Sequence, residues 1–516
     1  MAVSSIINGK LHHGNDIFKS LNPSTPTEVI GEFASAGREE CLLACNTAKE
    51  AFGHWKNVPA PFRGELVNNL GKLIFQNKEA FSRIVSKEMG KPLKEARGDV
   101  QEAVDTCVFF ASEGRRLYGQ TVPSEMPSKE LFTYRKPLGV FACITAGNFP
   151  VAVPAWYFVP ALLAGNTCVW KPSEDTPRIS QFFTELVHAA GFPKNVFNTV
   201  FGLGSKTGKD LIELVKEGHI QKVGFTGSTE VGSGIGEICG RFLQHPCLEL
   251  GGKNPLVVTP SAHLDLAVTG ALWSAFGTAG QRCTSLGNLI LHTSIKEKFV
   301  SLFMKKVNEL KIGDPFDPSV FYGPLISKKF ADNHVNHLST LVKKKHTLLT
   351  SKNGMMESEK DWASFVGKHN GGYYAFPSVV DGVDLDDEIY RTETFGPLIN
   401  IMTYSDMKTA IEYSNQTGFG LSSSIYSNDP NEIFMFKNEI SAGMTSINNG
   451  TSGAEAHLPF GGNGKSGNGS RQSGIWVLDQ FTKWQAVNWD YSGQLQLAQI
   501  DTPSAPNLEY VLPSEG

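Results

Sequence analysis

The sequence predicts an α/β protein built on open, mostly parallel sheets. Residues 139–145, 166–171, 196–201 and 220–226 are short apolar runs, each closed by a glycine or proline turn. Helical stretches at 180–190 and 208–217 lie between them. Strand-length runs without polar alternation are what strands buried on both faces look like, and intervening helices supply the crossovers. At 516 residues the chain is also long enough for several domains.

Upstream, residues 38–52 and 63–88 read as amphipathic helices. From Gly98 to Arg116, Val100, Val104, Val108 and Ala111 recur at helical spacing. A second α/β region follows, with strands at 254–258 and 288–292 around a helix near 264–279. The tail at 481–489 alternates in polarity and reads as a half-exposed strand suited to pairing with another subunit.

Composition narrows the function classes. Apolar content of 41% and charged content of 19% describe an ordinary soluble protein, and a net charge of −4 argues against nucleic acid as a partner. The basic run Lys343-Lys344-Lys345-His346 is isolated and reads as a solvated loop or helix end. No apolar stretch reaches the roughly 20 residues that span a bilayer, and the first residues lack a secretory pattern. The eight cysteines (Cys41, Cys45, Cys107, Cys143, Cys168, Cys239, Cys247, Cys283) contain no Cys-x-x-Cys pair, so neither disulfides nor a metal site is expected. A cytoplasmic setting fits.

Cys283 lies in Gly277-Thr278-Ala279-Gly280-Gln281-Arg282-Cys283-Thr284, where small residues leave room for a ligand. Arg282 reads as a cation near enough to favour the thiolate that attack on carbon requires. Glu249, between leucines and before Gly251-Gly252, reads as a desolvated general base or as a partner of a nearby cation. Asn148 offers a side-chain amide to a developing oxyanion, or else satisfies its own turn.

Two glycine turns, with Gly204 and with Gly227-Ser228, follow strands; the second opens a helix whose free N–H groups suit a pyrophosphate. In Lys171-Pro172-Ser173-Glu174, the Lys and Glu suit ribose hydroxyls. A carboxylate there repels a 2′-phosphate, favouring NAD over NADP.

These pieces resemble the aldehyde dehydrogenase superfamily from about residue 7 to about residue 500. Asn148-Phe149-Pro150, Lys171-Pro172-Ser173-Glu174, 225–232, 249–253, Gly280-Gln281-Arg282-Cys283, 393–397 and Pro459-Phe460-Gly461-Gly462 stand in that family's order. The resemblance implies a variant Rossmann NAD-binding domain (1–118 and 139–250), an α/β catalytic domain (251–455) and an oligomerisation flap with tail (119–138 and 456–516). It implies a homo-oligomer, dimer or tetramer. It also implies Cys283 as nucleophile, Glu249 as hydrolytic base and Asn148 as oxyanion donor. Thr145, Lys171, Ser173, Glu174, Gly204, Gly227, Ser228, Glu393 and Phe395 would hold NAD.

Within the superfamily the chain is most similar to the antiquitin branch, the α-aminoadipic semialdehyde dehydrogenases, through 277–284, 420–425, 451–455 and the tail near 490–499. That similarity implies Glu102 as the partner of the substrate's amino group. Arg282, Gly453 and Ala454 would meet its carboxylate, and Phe460 would line the site. Gly147 replaces the family's usual aromatic residue, implying a wider tunnel, and Glu455-Ala456-His457-Leu458 departs from the branch's glycine-rich continuation. The alternatives are broad oxidation of uncharged aldehydes, transfer of the thioester to coenzyme A (disfavoured by Glu249), and a catalytically silent protein on the same fold.

Overall fold

The computed structural model describes residues 2–14, 16–497 and 499–513; Met1, Asn15, Ala498 and tail residues 514–516 lie outside the described residues. Two seven-stranded sheets carry the fold. The first runs Cys247–Glu249, Lys222–Thr226, Val140–Ile144, Thr167–Lys171, Phe197–Thr199, all parallel, with Ser5–Ile7 and Lys10–His12 antiparallel at its edge. Every residue of Val140–Ile144 and Thr167–Lys171 is buried, which explains their unbroken apolar runs. Strand order reverses at Val140–Ile144: the chain steps one way to Thr167–Lys171 and later the other way to Lys222–Thr226. The crevice beyond the carboxyl ends of such strands is where open α/β sheets bind ligands.

The second sheet runs Thr347–Leu348, Ser378–Asp381, Leu398–Tyr404, Leu286–His292, Asn254–Val258, Ser422–Tyr426, Met444–Ile447. All neighbours are parallel except Thr347–Leu348. Only the link 250–253 separates the last strand of the first sheet from Asn254–Val258.

Three expected elements differ in detail. The helix expected at 63–88 is two, Ala60–Gln76 and Lys78–Met89, broken at Asn77, where ψ opens to 9°. In the helix Leu93–Glu113 the buried stripe is Val100, Ala103, Val104, Cys107 and Phe110, while Val108 is 63% exposed. A strict four-residue step drifts about 40° around a helix each time, so Val108 has rotated out of the core. The helix expected to reach residue 279 ends at Phe276, and Thr278, Ala279 and Gly280 follow at φ 53°, 54° and 71°.

The tail strand Thr482–Asp490 pairs along its whole length with Lys129–Pro137 of its own chain, in a three-stranded sheet with Thr121–Val122. Its first partner is therefore intramolecular. Among the described residues no helix is long and apolar enough to cross a membrane.

Candidate active site

Cys283 sits between the left-handed turn and the strand Leu286–His292. The Asn254 amide fixes its backbone, donating to the carbonyls of Cys283 at 2.8 Å and Ser285 at 2.7 Å. A Cβ at Gly252 would collide with the Cys283 carbonyl, so that approach requires glycine. All eight cysteines are free, seven are buried, and Cys283 is the one partly open. Burial pushes its thiol up to about 12, and the Glu249 and Glu393 carboxylates add to the rise. The N–H groups of Thr284 and Cys283 itself pull it down.

Arg282 does not supply the expected free cation. Its guanidinium is ion-paired with Glu95, donates from Nε to Thr278 Oγ1 at 3.1 Å, and lies 4.4 Å from the Trp273 ring centroid. With its head group turned into this enclosure, it neither lowers the thiol's pKa nor offers a fork to a carboxylate.

Asn148 follows the strand Val140–Ile144 and is 8% exposed. Its Nδ2 donates to the Gln281 carbonyl at 2.9 Å, which leaves the second N–H of that amide for another oxygen. Gly147 does not widen a substrate tunnel. A Cβ there would lie 2.9 Å from Ser173 Oγ and 3.1 Å from Ile326 Cδ1, so the position faces Ser173 and is already closed.

Glu249 ends the strand Cys247–Glu249, in register with Thr226. Both carboxyl oxygens are buried without a hydrogen-bond partner among the described residues. Burial holds its carboxyl well above the usual carboxylate range, with Arg471 pulling weakly the other way. Gly461 makes room for it: a Cβ there would stand 2.8 Å from Glu249 Oε1.

The other strand ends of the first sheet gather a polar edge. Lys171 Nζ lies 3.0 Å from Glu174 Oε2, and the Gly204 N–H donates to Glu174 Oε1 at 3.4 Å. Burial opposes ionisation of Glu174, yet Lys171 and that N–H hold it below the ordinary carboxylate value. Thr145 Oγ1 accepts from the Trp170 indole at 3.0 Å, and Ser173 Oγ accepts from the Asp175 N–H at 3.2 Å. Ser228 caps the helix Thr229–Arg241, and the preceding Gly227 N–H donates to the Glu249 carbonyl.

From the loop before the second-sheet strand Leu398–Tyr404, Glu393 accepts from the Gly252 N–H at 2.9 Å, in space kept clear by Gly251. Burial pushes Glu393 up to about 7 and the neighbouring Lys253 down to about 7. Phe395, at φ 42°, packs on Phe330. A half-open carboxylate, a capped helix start and glycine-lined strand ends fit a dinucleotide.

The opposite wall is apolar. Phe149, Ala454 and Cys283 pack on one buried cluster with Trp156 and Phe460, whose rings are 4.7 Å apart. Glu102 Oε1 is buried there without a partner. Burial, with Asp99 beside it, pushes the Glu102 carboxyl up to about 8 against the pull of Lys91. Gly453, at φ 150°, faces open space, and Thr451 Oγ1 ties this loop to Thr284 by donating to its carbonyl at 2.7 Å.

Sequence reasoning missed Lys91, Glu95 and Asp99, all buried or nearly so beside these groups. Acidic residues at an i, i+4 interval inside an otherwise apolar helical stripe were the available signal.

The chain matches the aldehyde dehydrogenase family across residues 11–487. It is 32% identical over 485 residues to the alpha-ketoglutaric semialdehyde dehydrogenase of Bacillus subtilis, covering 94% of this chain and 97% of that one. It is 33% identical over 500 residues to the alpha-aminoadipic semialdehyde dehydrogenase of Mus musculus, covering 96% and 89%. The crystal structure of betaine aldehyde dehydrogenase from Staphylococcus aureus in complex with NAD+ superposes with a TM-score of 0.90 at 28% identity, covering 96% of each chain.

Proposed function

The chain belongs to the aldehyde dehydrogenase family, and from that premise we propose that it oxidises an aldehyde to the free acid with NAD. The observation that carries this reading is convergence. The one partly open thiol lies where an amide with a spare N–H and an unpartnered buried carboxyl also meet.

Cys283 Sγ attacks the carbonyl carbon, and the thiol proton passes to water as the C–S bond forms. The resulting thiohemiacetal oxyanion is held by the spare Asn148 N–H and the Cys283 backbone N–H. NAD, when bound, would supply the hydride acceptor for this oxidation. Lys171 and Glu174 would hold the adenosine ribose, with Thr145, Ser173 and Gly204 around them. Gly227 and Ser228 would hold the pyrophosphate, and Glu393 with Phe395 the nicotinamide riboside. Glu249 then takes a proton from the water that hydrolyses the thioester. Its apolar surroundings make it a strong base once ionised.

The substrate class that fits best is a semialdehyde with an amino group distant from the carbonyl, and α-aminoadipic semialdehyde is the best single candidate. Glu102, half-buried in the apolar wall with its Oε1 buried and unpartnered, supports the amino half. The Gly453 and Ala454 N–H groups, on the loop tied to Thr284, are left to meet the acid. Commitment of Arg282 to Glu95 favours a second reading, broad oxidation of uncharged aldehydes. Appearance of reduced cofactor with semialdehydes and uncharged aldehydes of equal length separates the two by kcat/KM. No NADH from any aldehyde would sink the activity itself.

The domain division given above is retained as part of this proposal, as is a cytoplasmic homo-oligomer. Support for assembly comes from Trp484, Trp489 and Tyr491, which are more than half exposed on or beside the tail strand.

A further inference from the structure

The turn that delivers Cys283 is costly to hold. Thr278 and Ala279 are side-chain-bearing residues in the left-handed region, followed by Gly280 in the same region. A left-handed conformation is unfavourable for a residue that bears a side chain, so it persists only where other contacts impose it. One carboxylate makes three of those contacts. Glu95 Oε1 accepts from the Thr278 N–H at 3.0 Å, and Glu95 Oε2 accepts from the Thr278 hydroxyl and the Arg282 guanidinium. Its side chain is 6% exposed and that of Arg282 is 8% exposed, so the pair works away from solvent screening.

Glu95 therefore grips the turn at both ends, at Thr278 where it begins and at Arg282 beside the nucleophile. One helical turn further along, Asp99 Oδ1 accepts from the Ala152 N–H at 2.8 Å, at the start of the helix that follows Asn148. Asp99 Oδ2 is paired with the fully buried Lys91 at 3.1 Å, whose ammonium lies 3.7 Å from the Phe149 ring centroid. The helix Leu93–Glu113 thus touches both halves of the oxyanion pocket through two carboxylates on one face.

We propose that Glu95 is a positioning residue, which with Arg282 as its strut holds Cys283 and its backbone N–H at the working distance from Asn148. This rests on the activity proposed above. It recasts Arg282 as a part of the loop rather than a reader of substrate charge. A misplacement of the order of 1 Å at such a site costs up to about 10²-fold in rate.

The test is Glu95→Gln in the full-length protein, read three ways: NADH formation from charged and uncharged aldehydes, NAD binding by protein fluorescence, and the alkylation rate of Cys283 by iodoacetamide. The expected result is a fall in kcat of about 10- to 100-fold, equal on both aldehydes, with NAD affinity kept and alkylation slowed. Thr278→Val, which removes the hydroxyl's bonds to Glu95 and from Arg282 Nε but keeps the Thr278 N–H bond and the Glu95–Arg282 pair, gives a smaller loss of the same kind and serves if Glu95→Gln does not fold. A kcat within about twofold of wild type in the folded variant, or losses that merely follow the fraction folded, overturns the assignment. Alkylation does not require turnover. A wild type that oxidises no aldehyde while Glu95→Gln still slows alkylation would sink the activity and spare the positioning role.

Discussion

The two walls of the pocket are built from different materials. The wall proposed to hold the cofactor is built mainly on strand ends, short glycine turns and one capped helix, with side chains such as Lys171 and Glu174 set within a few residues of one another. The substrate wall uses side chains brought from far apart, such as Glu95 with Arg282, Glu102 in the cluster around Trp156, and Thr451 with Thr284. A wall of strand ends recognises what every dinucleotide shares. A wall of side chains is free to vary with substrate while the first stays fixed.

Removing the nucleophile separates the two walls most sharply. Cys283→Ala is expected to abolish NADH formation while NAD binding is unchanged, because the thiol is not among the groups proposed to hold the cofactor. Measurable steady-state turnover would remove Cys283 from the mechanism. Next in size, Glu249→Gln retains a burst of NADH close to one per active chain but loses about 10²- to 10³-fold in steady-state rate, since hydride transfer precedes hydrolysis. Loss of the burst would move Glu249 to the first half-reaction, as the base that ionises a thiol standing near 12.

Cofactor preference gives a smaller effect. Glu174→Gln or Glu174→Thr relaxes the choice toward NADP by removing like charge near the 2′ position, by about 10-fold in the ratio of kcat/KM values. Wild-type enzyme using NADP as well as NAD would discard that role. The smallest effect is a pH trend. Burial places the Glu102 carboxyl near 8, so it is neutral below that pH and a carboxylate above it. Only the carboxylate pairs with an ammonium group. Preference for an amino-bearing aldehyde over an uncharged one of equal length should therefore rise between about pH 7 and pH 9. A flat ratio takes Glu102 out of recognition.

The same contrast explains what was legible. The strands around Val140–Ile144, the caps and turns at Ser228 and Gly204, and Cys283 itself are local patterns, visible in a few consecutive residues. Arg282 misled because its proximity to Cys283 in sequence is real, while its direction is set by Glu95, 187 positions away. Gly147 misled for a similar reason: the space a missing side chain leaves depends on Ser173 and Ile326. Val108 failed more simply, because two four-residue steps from Val100 carry it about 80° around the helix, off the buried face. Glu249 was ambiguous in sequence between ion pairing and desolvation, and only the partners present around a group decide that.

The link from Glu249 to Asn254 carries a consequence for how this chain tolerates change. Gly251 and Gly252 are each pressed so closely, by the Glu393 carboxylate and by the Cys283 carbonyl, that a Cβ collides at either position. The two sheets therefore meet with a clearance smaller than one methyl group, about 1.5 Å of added bond. Sequence drift in the outer helices is absorbed by repacking. Here the smallest possible side chain pushes the base-bearing strand and the nucleophile-bearing loop apart. Two residues with no chemistry of their own thus set the spacing between the base and the nucleophile.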